Sequence, residues 1–346
     1  MLHSRLRPLP HRPAIPVADS HKSFSDEEVP EDHFEAFLAH LFPDDVSSFH
    51  GVPGQHLLYS SRRYGDLDIM VPSYPEKNYG ASTLDDDRQL QAHFLWSAGI
   101  IIAESVESAD GPSPALADAE TESKNSNSNA SLKRDIWECT RTECIGIWCR
   151  CPFTRIPLTM SPGAALPSLI CALANASSVT ATDHPSSPSL LGAIEFNLTH
   201  NLQSRNSELV GSQSQGPEIS IHPHQWGILS DSFAIDNKAR FTRIIAASCY
   251  WMPLQHEYLC QSLQWFLAPG GKIWMSAGFH TGRPILADFF EKAKKYGFVV
   301  QCIWERDLIG EEGKGEVRRD WVPFREDGPE NWKRWCVVAV LKRKNE

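Results

Sequence analysis

The chain has 346 residues, enough for one large domain or two small ones with a sizeable buried core. Its formal net charge of −10 leaves no basic stripe of the kind that marks a general nucleic-acid binder, and no run approaches the roughly 18 apolar residues of a membrane span. Nine scattered cysteines, behind a start that has arginine and histidine but no apolar signal core, imply reduced thiols in the cytoplasm and possible access to the nucleus.

Residues 1–27 are rich in proline, serine and charge and are expected to form a disordered arm. An N-terminal extension over 28–107 follows. It opens with a short amphipathic helix carrying Phe34, Phe37, Leu38 and Leu41, stopped at Phe42-Pro43. Residues 57–59 and 67–71 predict paired strands around Arg63-Tyr64-Gly65-Asp66. A helix is expected over 86–107, with Leu90, Phe94, Ile101 and Val106 among its apolar positions. Residues 108–131 are polar and low in complexity. As structureless chain they exceed the usual loop of roughly 12–15 residues, so 108–153 reads as an irregular linker. The sequons that begin at Asn129, Asn175 and Asn197 are chance matches in a chain with no secretion signal.

From residue 154 strands and helices alternate. Strands are predicted over 154–160, 178–183, 219–221, 242–247, 272–277, 298–304 and 335–341. Helices are predicted over 165–174, 188–200, 254–267 and 284–297, the third with Leu254, Tyr258, Leu259, Leu263 and Phe266 on one face. Pro284 and Gly297 sit where a helix begins and ends. Such alternation implies an α/β, doubly wound, Rossmann-like sheet. The last two strands are separated by a charged loop with no helix, so they should pair antiparallel.

In a doubly wound sheet the ligand lies beyond the carboxyl ends of the strands, where the strand order reverses. Gly163 lets the backbone come close to a ligand, and the helix after it points its positive end there. Asp183, about 20 residues on at a strand end, is placed to hold a ribose, or else to cap the helix that starts near Ser187. Turn, helix and acid alone would also suit a nicotinamide-dinucleotide oxidoreductase.

The order of motifs narrows the choice. His93-Phe94-Leu95-Trp96-Ser97-Ala98-Gly99 is followed by GAALPSL at 163–169, TATDHP at 180–185 and His224-Gln225-Trp226-Gly227. TRIIAASCYW at 242–251 and LAPGGKIWMSAGFHTG at 267–282 complete the series. In this the chain resembles the seven-strand S-adenosyl-L-methionine-dependent methyltransferases, and within them the fungal lysine-methyltransferase-like group often labelled nicotinamide N-methyltransferase. The resemblance covers roughly 28–107 and 163–343 and makes 154–346 the methyltransferase domain. It implies S-adenosyl-L-methionine as cofactor and, for a monomer, an amine acceptor, either on a protein (lysine or N-terminus) or on a small molecule such as nicotinamide. It assigns Trp96, on the helix before the fold, to the methionine end of the cofactor, Gly163 to the turn, Asp183 to the ribose and Trp226 to the adenine ring. Ala247 and Ser248 fall beside the reacting centre, and Tyr250 with Trp251 would line the acceptor channel, making Ser248 and Tyr250 the candidate catalytic residues.

The chain departs from the family pattern in two places. Thr159 stands where the family's first motif has an acid, with Ser161 and Pro162 in the glycine turn; proline removes a backbone donor and fixes φ. Ser248 stands where an aspartate is usual, and serine is a poor base. The stretch 138–162 lacks the family's Val/Leu-rich strand, as a mis-spliced or mis-predicted exon would, and these departures keep open a catalytically impaired relative that acts by binding. Cys139, Cys144, Cys149 and Cys151 are spaced poorly for zinc. His222, His224 and His256 read as surface or loop histidines, and methyl transfer requires no metal.

Overall fold

The computed structural model describes residues 5–9, 48–73, 94–110, 136–137, 157–160, 163–208, 216–310, 316–326 and 328–345. In the N-terminal part, β1 (Leu6–Pro8), β2 (Phe49–His50), β3 (His56–Ser61), β4 (Gly65–Met70) and β5 (Leu95–Trp96) lead into helix α1 (Ser97–Ala109). Strands β1, β3 and β4 form a three-stranded antiparallel sheet, and β2 pairs with β5. The expected hairpin over 57–71 is present.

The main domain comprises β6 (Pro157–Met160), α2 (Leu166–Leu173), β7 (Ser178–Asp183), α3 (Ala193–Glu208), β8 (Glu218–Pro223), α4 (Ser232–Asp236) and β9 (Phe241–Ala247). It continues through α5 (His256–Phe266), β10 (Leu267–Gly278), α6 (Arg283–Lys295), β11 (Phe298–Asp307), β12 (Arg318–Arg319), α7 (Pro329–Arg334) and β13 (Trp335–Arg343). These strands build one eight-stranded sheet in the order β12-β11-β13-β10-β9-β6-β7-β8. The five strands from β8 to β10 run parallel, and β13 is antiparallel to both β10 and β11. This is the α/β arrangement with an antiparallel last strand that the alternating pattern implies. The order reverses between β6 and β9, which puts a crevice at their carboxyl ends.

Side-chain alternation along the strands sorts the core into two layers. Val338 and Val340 of β13 join Ile245 and Trp274 beneath α1, α2 and α3, while Val337, Ala339 and Leu341 join Ile244, Ile273 and Met275 beneath α4, α5 and α6. Ile136 and Trp137 seal the first layer: the Trp137 ring packs 5.2 Å from Trp274, whose indole N–H donates to the carbonyl of Ile136 at 2.9 Å.

The N-terminal sheet is joined to this body by asparagines. Asn197 and Asn201, one turn apart on α3, exchange hydrogen bonds with the backbone of Met70 and Asp68 at 2.7–2.9 Å. They satisfy the open edge of β4, which would otherwise leave a row of unpaired groups. Asn197 also donates to the carbonyl of Ala164 and is fully buried, which rules out a glycan on its sequon.

The structure revises the sequence reading in several places. Residues 6–8, inside the expected disordered arm, form an edge strand because Arg5 is buried between Glu104, Glu107 and Tyr59. Within the helix expected over 86–107, pairing with β2 holds Leu95 and Trp96 extended and α1 runs from Ser97, while residues 86–93 lie outside the described residues. Leu254 and Tyr258 are 80% and 48% exposed: Leu254 lies in a 3₁₀ turn before α5, and Tyr258 is one residue off the buried Leu259–Leu263–Phe266 stripe. A helix, α7, does separate the last two long strands, started by Pro329 at its first position. The helix expected over 28–43 and the cysteine series lie outside the described residues. No helix among the described residues is long and apolar enough to cross a membrane.

Candidate active site

The crevice at the carboxyl ends of the parallel strands is a lined cleft, reached by Thr159, Gly163, Asp183, Trp226, Ala247 and Ser248 from the main domain and by Trp96 from the extension. Each strand end contributes differently.

After β6, Gly163 has φ +52°, and a Cβ there would meet only the carbonyl oxygen of Phe94 at 3.5 Å. Its backbone conformation therefore favours glycine, more than any lack of room does. Ala165 is also left-handed, at φ +54°, and turns the chain into α2, whose Pro167 lines the cleft. Thr159 is buried, and its hydroxyl accepts a hydrogen bond from Ser168 at 2.8 Å. Ser161 and Pro162 lie outside the described residues. Of the unusual stretch before them, residues 157–160 fill the central strand position and are buried throughout, with proline confined to the first position, where a strand tolerates it.

At the end of β7 the buried Asp183 carboxylate accepts the His184 N–H at 2.8 Å, and its carbonyl accepts the His224 N–H at 2.7 Å. The helix start that Asp183 could have capped is capped by Ser187 instead. Beyond β8, Trp226 is half-buried against the second core layer. Next to it Gly227, at φ +82°, donates its N–H to Ser262 at 2.9 Å, and Ser262 lies 3.2 Å from His224 Nε2. His224 is buried, not superficial, and burial holds its pKa below the ordinary imidazole value against the opposing pull of Asp231. His256 is buried as well, between Asp288 and the carbonyl of Tyr250.

After β9 the chain reverses through Ser248, a non-glycine residue at φ +57°. Its N–H donates to the carbonyl of Ser276 at 2.9 Å, while its hydroxyl is buried with no hydrogen-bond partner among the described residues. Cys249 is enclosed, its thiol donating to the carbonyl of Met160 at 3.3 Å; burial, and then the charge of Asp183, push its pKa far up. Tyr250 does not reach the cleft. Its hydroxyl donates to the carbonyl of Ala246 at 3.0 Å, its ring packs 4.3 Å from Phe289, and burial drives its pKa well above the ordinary phenol value. Tyr250 is thus a core residue, and Trp251 alone of the expected pair lines the cleft. The buried side of α5 and α6 needs a large side chain there, and a hydroxyl satisfied by its own strand suits it.

The mouth is aromatic. Trp96 stacks on His280 with ring centres 5.0 Å apart and meets Phe49 and Phe94 edge-on. Trp96 stands on β5 and not on a helix, and His280 comes from the turn after β10. Ser186, Met252 and Gln255 also line the cleft and were not legible in the sequence, since they sit in loops and a 3₁₀ turn set by tertiary contacts.

No family model matches the chain. Among curated proteins, it is 27% identical over 177 residues to the protein N-terminal and lysine N-methyltransferase EFM7 of Eremothecium gossypii, a match covering 47% of this chain and 63% of that protein. The Candida glabrata protein of the same name is 27% identical over 169 residues, covering 46% of this chain and 62% of the relative. The chain therefore spans less than two thirds of the length of these relatives. Among solved structures, a TehB-like SAM-dependent methyltransferase of Corynebacterium glutamicum matches with 15% identity and a TM-score of 0.36, over 55% of this chain and 81% of that one. The methyltransferase resemblance carried by the motifs is the one these relatives bear.

Proposed function

We propose that the chain is an S-adenosyl-L-methionine-dependent N-methyltransferase acting on a protein amine, an N-terminus or a lysine. The observation that carries this reading is the convergence of Asp183, Trp226 and Ser248 on one cleft at the strand-order reversal, in a chain similar to proteins named for that activity. The residues present suit the cofactor. The buried Ser248 hydroxyl has no partner among the described residues, the Asp183 carboxylate lines the same cleft, and Trp226 offers an indole face for a purine. Asp183 and Trp226 would hold the nucleoside, and Gly163 would bring the backbone to the amino-acid end.

When bound, the cofactor supplies a methyl group already activated on a sulfonium, so the protein's part is positioning and desolvation. The Trp96 and Trp251 faces suit a cationic amine entering from the mouth. Ser248 can accept one N–H of that amine and so orient its lone pair. The thiol of Cys249 and the phenol of Tyr250 are held protonated by burial and so offer no base.

Calorimetric titration with S-adenosylmethionine and S-adenosylhomocysteine tests this reading, followed by mass analysis of peptides bearing a free α-amine or a lysine. Absence of heat at millimolar ligand would remove it. A second reading, a binding protein of impaired activity, is favoured by one observation: Thr159 replaces an acid and is bonded within the fold to Ser168. Cofactor binding without methylation of any peptide supports that alternative.

A further inference from the structure

We propose that His280 is the base that takes the proton from the acceptor amine. This rests on the N-methyltransferase reading above. A protein amine arrives as an ammonium ion, which has no lone pair, and Ser248 cannot remove its proton. The other titratable groups of the cleft are committed. Asp183 accepts the His184 N–H, and His184 Nδ1 is 2.8 Å from Ser186. His224 is enclosed with Ser262 and Asp231, and the Cys249 thiol is turned to the carbonyl of Met160.

His280 differs from all of these. It lines the cleft two residues beyond β10, the strand beside β9, which ends at Ala247 just before Ser248. Its ring is fixed by the stack on Trp96, and no hydrogen bond to its nitrogens is found among the described residues. Ser48 of the turn before β2 and Cys336 of β13 lie with His280 around Gly278. The Cys336 thiol is pushed up to about 12 by burial and is therefore neutral. Among the described residues no charged group shifts the imidazole, and burial is the cause that does. Its outer edge is open to solvent, yet the apolar atoms crowded around it lower its pKa below the ordinary value, so it is neutral and basic near pH 7.

The step balances. The imidazole lone pair takes one proton from R–NH3⁺, leaving R–NH2 and an imidazolium. The freed nitrogen lone pair forms the new N–C bond as the electron pair of the C–S bond returns to sulfur, and the methylated nitrogen carries the positive charge. The imidazolium then gives its proton to water.

The test compares the wild-type chain with His280→Gln and His280→Ala on an α-amine peptide and a lysine peptide. Both variants should bind S-adenosylhomocysteine within twofold of wild type and keep KM for peptide. Their kcat should fall on the order of 100-fold and lose the acidic limb of the wild-type pH profile, and imidazole added to His280→Ala should restore part of the rate. In the free protein, the His280 ring should titrate by NMR below its ordinary value. Wild-type kcat with an unchanged pH profile in His280→Gln, or a ring that titrates above pH 7, overturns the assignment and leaves the methyltransferase reading intact. A wild-type chain that binds cofactor and methylates neither peptide overturns both.

Discussion

Asp183 and Gly227 show how single residues hold the cleft. Asp183 is a hydrogen-bond acceptor at a buried strand end, so Asp183→Ala should weaken binding of S-adenosylhomocysteine by about 1–3 kcal/mol, measured by calorimetry. Gly227 holds the loop of Trp226 in a left-handed conformation, and a Cβ there would come within 2.6 Å of the Tyr258 ring and 3.1 Å of its Cβ. Gly227→Ala is expected to cost about 1–3 kcal/mol in a denaturant titration and to lower ligand affinity by displacing Trp226. His224 supplies a pH dependence. Its folded pKa lies below the unfolded value of 6.5, so the unfolded chain binds the extra proton first. Stability from this group is complete above pH 6.5 and is lost as pH falls from there toward the folded pKa. A His224→Asn variant should show a flatter melting-temperature profile between pH 7 and 5. Most of these positions could be picked out in the sequence as types at strand ends. Tyr250 could not be judged there, because a tyrosine after a strand looks the same whether its hydroxyl meets a substrate or the carbonyl of Ala246.

Helix α3 and strand β4 form the joint between the extension and the main sheet. Four residues of helix rise about 6 Å and two residues of strand about 6.8 Å, so Asn197 and Asn201 meet Met70 and Asp68 in register. Asn197→Ala would leave the N–H and carbonyl of Met70 and the carbonyl of Ala164 without this partner. A loss of about 3 kcal/mol is expected, with faster hydrogen exchange at the Met70 amide and little change at the centre of β9. The strands and helices of the main domain were legible because their side chains alternate or recur with a fixed period. This joint was not, since a pair of asparagines four apart on a polar helix face carries no sign of the strand it faces.

Across the whole molecule, the N-terminal strand is tied through α1 to a late strand of the main sheet. Arg5 pairs with Glu104 and Glu107 of α1, and Glu104 also bonds Arg306 of β11, all at or near full burial. Removing one member of a buried ion network leaves an uncompensated charge, so Arg5→Ala is expected to destabilise by roughly 3–5 kcal/mol in urea titration. Because Glu104 and Glu107 stand on α1, whose N-cap is Trp96 at the cleft mouth, the same variant should also reduce cofactor affinity. Unchanged stability in that variant would remove the first residues from the account of the fold.

By itself, the sequence determined the doubly wound sheet, its antiparallel last strand and the segment from Gly163 to Asp183, because period, turn chemistry and motif order are local properties of the chain. It also located the departures at Thr159, Ser161 and Pro162, although not their consequence. Only the tertiary structure decided which of the marked residues share the cleft. It sent Tyr250 into the core, put Trp96 on a strand instead of a helix, and set His280 against it. The physical reason is that a side chain's role depends on what the neighbouring strands leave open, and those neighbours come from residues as distant in sequence as Phe49, Trp96 and His280.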